Sequence, residues 1–166
     1  AGEALGIAER ADHPFTLAEA LTGVGSVLLA RGDLDEAVEV LQRARAVVRG
    51  WDHQPAAVRA RLGYALALSG QTREGRELLE GVVDSANTMS SMGVGRALQL
   101  TWLGEAYLLE GGVEHARQRA HEAATIARQN GERGHEAWAL HLLGAIRARA
   151  ESPELGGAEG SYDGAL

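Results

Sequence analysis

Glycine follows an apolar residue at Val24-Gly25, Leu62-Gly63, Leu103-Gly104 and Leu143-Gly144, and the glycines stand 38, 41 and 40 residues apart. A period of this size marks a chain that stacks one supersecondary unit on itself, each unit burying its apolar side against the next. Apolar spacing identifies the unit. Leu17, Leu21, Val24 and Leu28 recur at helical spacing up to Gly32. Leu34, Val38, Leu41 and Val48 then line one face of a second helix that begins at Asp33, with Ala37 and Ala44 beside them. The break Arg31-Gly32-Asp33 is short, which requires the two helices to lie antiparallel. Thr16 and Glu19 have the spacing of a capping box at the first helix start, after Pro14-Phe15.

The plan repeats along the chain. Pro55 suits a first helical turn, Leu62, Leu66 and Leu68 lead to Gly70, and Leu78, Leu79, Val82 and Val83 supply the second helix. A third pair runs through Leu100, Leu103 and Tyr107 to Gly111-Gly112, then through Ala116, Ala120 and Ala123 to Ile126. A fourth starts near His135 and carries Leu140, Leu143 and Ile146. Twelve residues after Gly25, Gly63 and Gly104 stand Ala37, Gly75 and Ala116. Small residues are common here, and one such match means nothing. Three in register, each pair bracketing a turn glycine, mark places where paired helices approach closely.

This division predicts a single array over 1–166. Residues 1–13 end a preceding repeat, repeats occupy 14–52, 53–92 and 93–132, and 133–166 is an incomplete repeat with a loop insertion at 150–159. Pro153 and Gly156-Gly157 break the helical pattern in that insertion. Ala4 to Arg10 aligns with Ala123 to Gln129, the end of a second helix, so the chain reads as a fragment of a larger protein. Leu5 and Ile7 at one end, and a Trp138-Leu142-Ile146 stripe at the other, then predict a weak homodimer through uncapped ends.

The pattern resembles the tetratricopeptide repeat (TPR), in which a small residue in the first helix precedes an aromatic or Leu, a turn glycine and a second small residue. Leu103-Gly104-Glu105-Ala106-Tyr107 with Ala116 is the nearest match. Gly25, Gly63, Gly104 and Gly144 fall on the family's first packing position, and Ala37, Gly75 and Ala116 on its second. The proline that often closes such repeats is absent, and the period exceeds the usual length of about 34 residues. The resemblance implies an all-α, right-handed superhelical solenoid of antiparallel helix pairs whose first helices line a groove. Projecting the helix register, that groove carries Glu19, Thr22, Ser26, Tyr64, Thr101, Glu105, Trp138 and His141. Trp138 reads either as a binding hot spot or as packing against the previous repeat. The texture of His13-Pro14-Phe15, of Leu28 to Leu34 and of Gly131 to Leu140 is also similar to the C-terminal repeat region of large bacterial signalling proteins. In those a nucleotide cyclase domain and a P-loop ATPase precede the repeats; no residue of either site is present here, so neither activity carries over.

Composition narrows the chemistry. The net charge is −7 and the arginines are scattered, which argues against a nucleic-acid backbone as partner. All 16 basic residues are arginine, which removes a P-loop lysine and a Schiff-base lysine. Without cysteine there is no thiolate nucleophile and no disulfide framework. No apolar run reaches the roughly 18 residues that a membrane span needs. His115 with His121 and His135 with His141 are six apart, whereas zinc chelation from one helix wants three or four. Gly23-Val24-Gly25 and Gly93-Val94-Gly95 are incomplete as nucleotide loops and follow no strand. Ser26 and Ser69 lack the strand-turn-helix setting of a hydrolase nucleophile, and Asp33 with Glu36 reads as charge at a helix start. The sequence therefore points to a non-catalytic protein- or peptide-binding scaffold, without metal or cofactor, in a cytoplasmic bacterial regulatory protein. The alternative is a sensor whose groove takes a small molecule or short signalling peptide.

Overall fold

The computed structural model describes residues 2–10, 13–51, 55–88 and 95–151. Among these the secondary structure is all helix: α1 Gly2–Arg10, α2 Pro14–Arg31, α3 Leu34–Val47, α4 Ala56–Leu68, α5 Thr72–Thr88, α6 Arg96–Leu109, α7 Val113–Asn130 and α8 Arg133–Glu151. The fold class is the expected one, all-α and built of antiparallel pairs. The helices fall into two compact units, Ala1–Gly93 and Val94–Leu166.

Turn glycines set the pairing. Gly32, Gly70 and Gly111 adopt φ of 82°, 92° and 81°, the left-handed conformation that costs glycine nothing. At Gly32 the Asp33 N–H reaches back 3.0 Å to the Leu28 carbonyl, closing the end of α2 as a Schellman turn. Each of these glycines stands seven residues after a packing glycine. In the fourth repeat that place is taken by Glu151, and α8 runs through it. The expected loop at 150–159 therefore gives its first two residues to α8, and its remainder, with 160–166, lies outside the described residues. So do residues 52–54 and 89–94, where two of the expected repeat boundaries fall.

The start of α2 differs from the expected capping box. His13 is the N-cap, its Nδ1 accepting the Thr16 N–H at 3.5 Å, and Pro14 opens the helix. Proline is pre-set for the first helical position and has no N–H to strand there, so the helix begins before Thr16.

In the first unit α2 packs on α3, α4 on α5, and α3 and α2 both on α4. Leu28, Ala37, Val38, Leu41, Leu62, Ala65 and Leu66 form one core cluster across α2, α3 and α4. Leu21, Ala44 and Val58 form another, on which Leu5 and Leu17 pack. Leu5 is thus partly covered, while Ile7 remains 55% exposed. In the second unit α6, α7 and α8 pack mutually around Ala116, Ala120, Leu142, Leu143 and Ile146. The expected terminal stripe needs correction. Leu142 and Ile146 turn inward against α6 and α7, leaving Trp138 and Leu140 as the exposed large apolar residues among the described side chains of α8.

The small residues lie where helices approach. A Cβ on Gly25 would sit 2.5 Å from Leu41 Cγ, one on Gly63 2.9 Å from the Gly75 carbonyl oxygen, and one on Gly104 2.8 Å from Leu142 Cδ2. Gly75 and Ala116 are buried against Gly63 and Gly104, while Ala37 is buried one turn before the Leu41 that meets Gly25. Gly144 departs from this pattern. It is exposed, and among the described residues a Cβ there would meet nothing within 4 Å. Its expected packing role is not seen, because no described helix lies over that side of α8.

Candidate binding faces on the first helices

In the first unit the residues projected onto the groove lie on α2 and α4. Glu19 is exposed, and Gly23, Val27 and Ala30 are exposed on the same side of α2. Ser26 is half-buried, its hydroxyl donating to the Thr22 carbonyl at 2.8 Å. The same oxygen accepts a 2.7 Å bond from Arg61 Nε on α4. Arg61 also donates through NH1 to the Ala57 carbonyl at 3.3 Å, so two anchors lay the guanidinium along the helix surface. Tyr64, half-buried, stands three residues, one turn, beyond Arg61. Ser26 and Arg61 thus make a polar seam between neighbouring first helices, with Tyr64 one turn further along α4.

Arg61 was not among the sequence candidates. The only available signal is that a charged residue breaks the apolar run of α4 three positions before Tyr64. What gives it a role is a hydroxyl 35 residues earlier, which no local pattern reveals.

Thr22 is only 4% exposed and Thr101 fully buried, so neither lines an accessible face. Their hydroxyls donate to the Ala18 and Ala97 carbonyls at 2.6 and 2.9 Å. A threonine that bonds its own helix four residues back needs no external partner and can enter a helix contact. In the second unit, taken by itself, Glu105 is half-buried on α6 while Trp138 and His141 are exposed on α8. Trp138 is 43% exposed.

The remaining polar groups have structural occupations. His115 stacks on Tyr107 with centroids 5.0 Å apart. His135 Nδ1 lies 2.8 Å from Glu132 Oε2, and Asn130 Nδ2 donates to Glu132 Oε1 at 3.1 Å. These hydrogen bonds, that of His135 first, favour the ionised carboxylate and hold the Glu132 carboxyl below its usual value against the opposing effect of burial. Trp51 stacks on Phe15 at 6.2 Å, closing the end of the first helix pair. Among the described residues no group of three or more His, Asp or Glu could hold a metal ion, and no helix is long and apolar enough to cross a membrane. An open recess of about 420 Å³, lined by Gln42, Arg45, Ala46 and Arg49, lies on α3 and the turn after it, not on a first helix.

Comparison with solved structures decides the architecture. The crystal structure of a single-substitution form of a Podosopora anserina kinesin light chain protein, described as having nearly identical TPR-like repeats, is similar with a TM-score of 0.60. The identity is 24%, over 90% of this chain and 83% of that one. The fold is TPR-like. A second structure of that Podosopora anserina protein gives a TM-score of 0.58 at 24% identity, over 88% of this chain and 83% of that one. No family model and no curated protein matches the chain.

Proposed function

We propose that this chain is a non-catalytic scaffold that binds a protein or peptide along the exposed side of its first helices. The observation that carries this reading is the Ser26–Arg61 seam. Arg61 is fixed by two hydrogen bonds beside exposed Val27 and Gly23, and no carboxylate is bonded to it among the described residues. An ordered cation next to apolar surface suits a peptide that offers both an acidic and an apolar group, because little side-chain entropy remains to be lost. The TPR-like architecture supports the reading, since stacked helix pairs present extended surfaces rather than enclosed catalytic clefts. We place the protein in a cytoplasmic bacterial regulatory or signalling context, on the resemblance of its repeats to those of cyclase- and ATPase-bearing proteins. No observation on the first helices favours the small-molecule alternative.

Photo-crosslinking tests this reading. A benzophenone side chain at position 64 should capture a polypeptide partner, one at position 45 on α3 should not, and Arg61→Glu should abolish capture at 64. Equal capture from both positions, or capture indifferent to Arg61→Glu, would contradict it.

A further inference from the structure

We propose that Asn130–Gly131 is a site of spontaneous modification: the Gly131 peptide nitrogen displaces the Asn130 side-chain amide, and the carboxylate formed weakens the turn that joins α7 to α8. The site uses neither Ser26 nor Arg61 and goes beyond the first-helix reading.

The sequence singles out this turn. The left-handed glycines Gly32, Gly70 and Gly111 follow Arg31, Ser69 and Glu110, whereas Gly131, with φ of 71°, follows Asn130. Glycine serves two ends there. It accepts the left-handed conformation that ends α7, and with no side chain it leaves its own peptide nitrogen unobstructed. The chain's other asparagine, Asn87, precedes the branched Thr88.

The reaction needs only water. The Gly131 nitrogen bonds to Asn130 Cγ and gives up its proton, the Cγ–Nδ2 bond breaks, and ammonia leaves carrying that proton. Water then opens the cyclic imide at either carbonyl. One opening leaves an ordinary aspartate; the other routes the main chain through Cβ and Cγ and adds a carbon to the backbone.

Inside a helix this attack is blocked, because the next nitrogen is held away from the side-chain carbon. Asn130 is exposed and is the last residue of α7. The Gly131 N–H bonds back to the carbonyls of Ala127 and Arg128, the latter at 3.2 Å. Opening that one turn frees the nitrogen, and local opening costs far less than unfolding the chain.

The same turn shows what the product does. Asn130 Nδ2 donates to Glu132 Oε1 at 3.1 Å, while Glu132 Oε2 lies 2.8 Å from His135 Nδ1. Aspartate at 130 replaces that donor with a second carboxylate facing Glu132. It also sets negative charge at the C-terminal end of α7, where the helix dipole disfavours it. Arg128 is already paired with Glu136 at 2.8 Å, and Arg133 is exposed, so neither offsets the new charge strongly. The chain-lengthened product does more. Its extra carbon falls between Ala127 and Glu132, whose 2.8 Å backbone bond closes the turn. Beyond this turn α8 packs Leu142 and Ile146 into the core of the second unit.

The test is to age the full chain at 37 °C and pH 7.5 and compare its tryptic peptides with those of fresh protein digested alongside. We expect the mass gain of an amide-to-acid exchange in peptide 129–133, at least tenfold faster than in peptide 77–96, which holds Asn87. The gain should vanish in Asn130→Gln. Asn130→Asp should have a lower urea midpoint than the wild type at pH 7. Three results would overturn the proposal: a gain in 129–133 no faster than in 77–96, a gain undiminished in Asn130→Gln, or an Asn130→Asp midpoint equal to or above that of the wild type.

Discussion

A hydroxyl inside a helix contact is tolerated only if it is bonded, and at Thr22 and Thr101 the bond runs to the helix's own backbone. Both residues were therefore compatible with either face of their helices, and their polarity alone could not place them. Ser26 differs because its hydroxyl has a second use, as acceptor for Arg61. Glu132 shows how a single carboxylate at a helix start contributes through its protonation state. Its hydrogen bonds to His135 and Asn130 hold its folded-state pKa below the unfolded value. Such a group contributes stability above its unfolded pKa and loses it as pH falls through the folded one. Glu132→Gln should thus be less stable than wild type at neutral pH, and the gap should close on acidification through the carboxylate range. Urea midpoints for both chains across pH 3 to 7 would check it; a gap independent of pH would remove the ionised carboxylate from the account.

Helix ends and helix interiors ask opposite things of glycine in this chain. At Gly32 the backbone is left-handed with φ of 82°, and a side chain there would be strained although space is open. Gly32→Ala should cost roughly 1–2 kcal/mol. At Gly23, exposed in the middle of α2 with nothing within 4 Å of a Cβ, alanine should stabilise by roughly 0.5–1 kcal/mol. Thermal melts of the two variants should shift in opposite directions. The same reasoning explains what could be read from sequence at this level. Turn glycines and apolar spacing are local, so the helix pairs and their breaks were legible. The start of α2 was not, because a histidine ring took the capping place and Pro14 opened the helix before the Thr16–Glu19 pair.

For the molecule as a whole, the all-α TPR-like architecture follows from a period visible in the chain, since three of the pairs set a glycine of the first helix against the second helix. The candidate surfaces were only partly legible. Helical projection assigns a residue to a side, but burial depends on neighbours: it put Thr22 and Thr101 on the groove although both are buried, and it could not find Arg61. The central claim is that repeat glycines bring paired helices into contact, and Gly104 tests it most directly. A Cβ there would lie 2.8 Å from Leu142 Cδ2 and 3.3 Å from the Ala116 carbonyl oxygen, so a larger side chain must push aside Leu142 or crowd the α7 backbone. Urea denaturation of Gly104→Leu beside the wild type should show a loss of roughly 1–3 kcal/mol, the usual range for overpacking a close contact. Coincident midpoints would mean that the helices do not meet at this glycine, and the repeat alignment would fail with it.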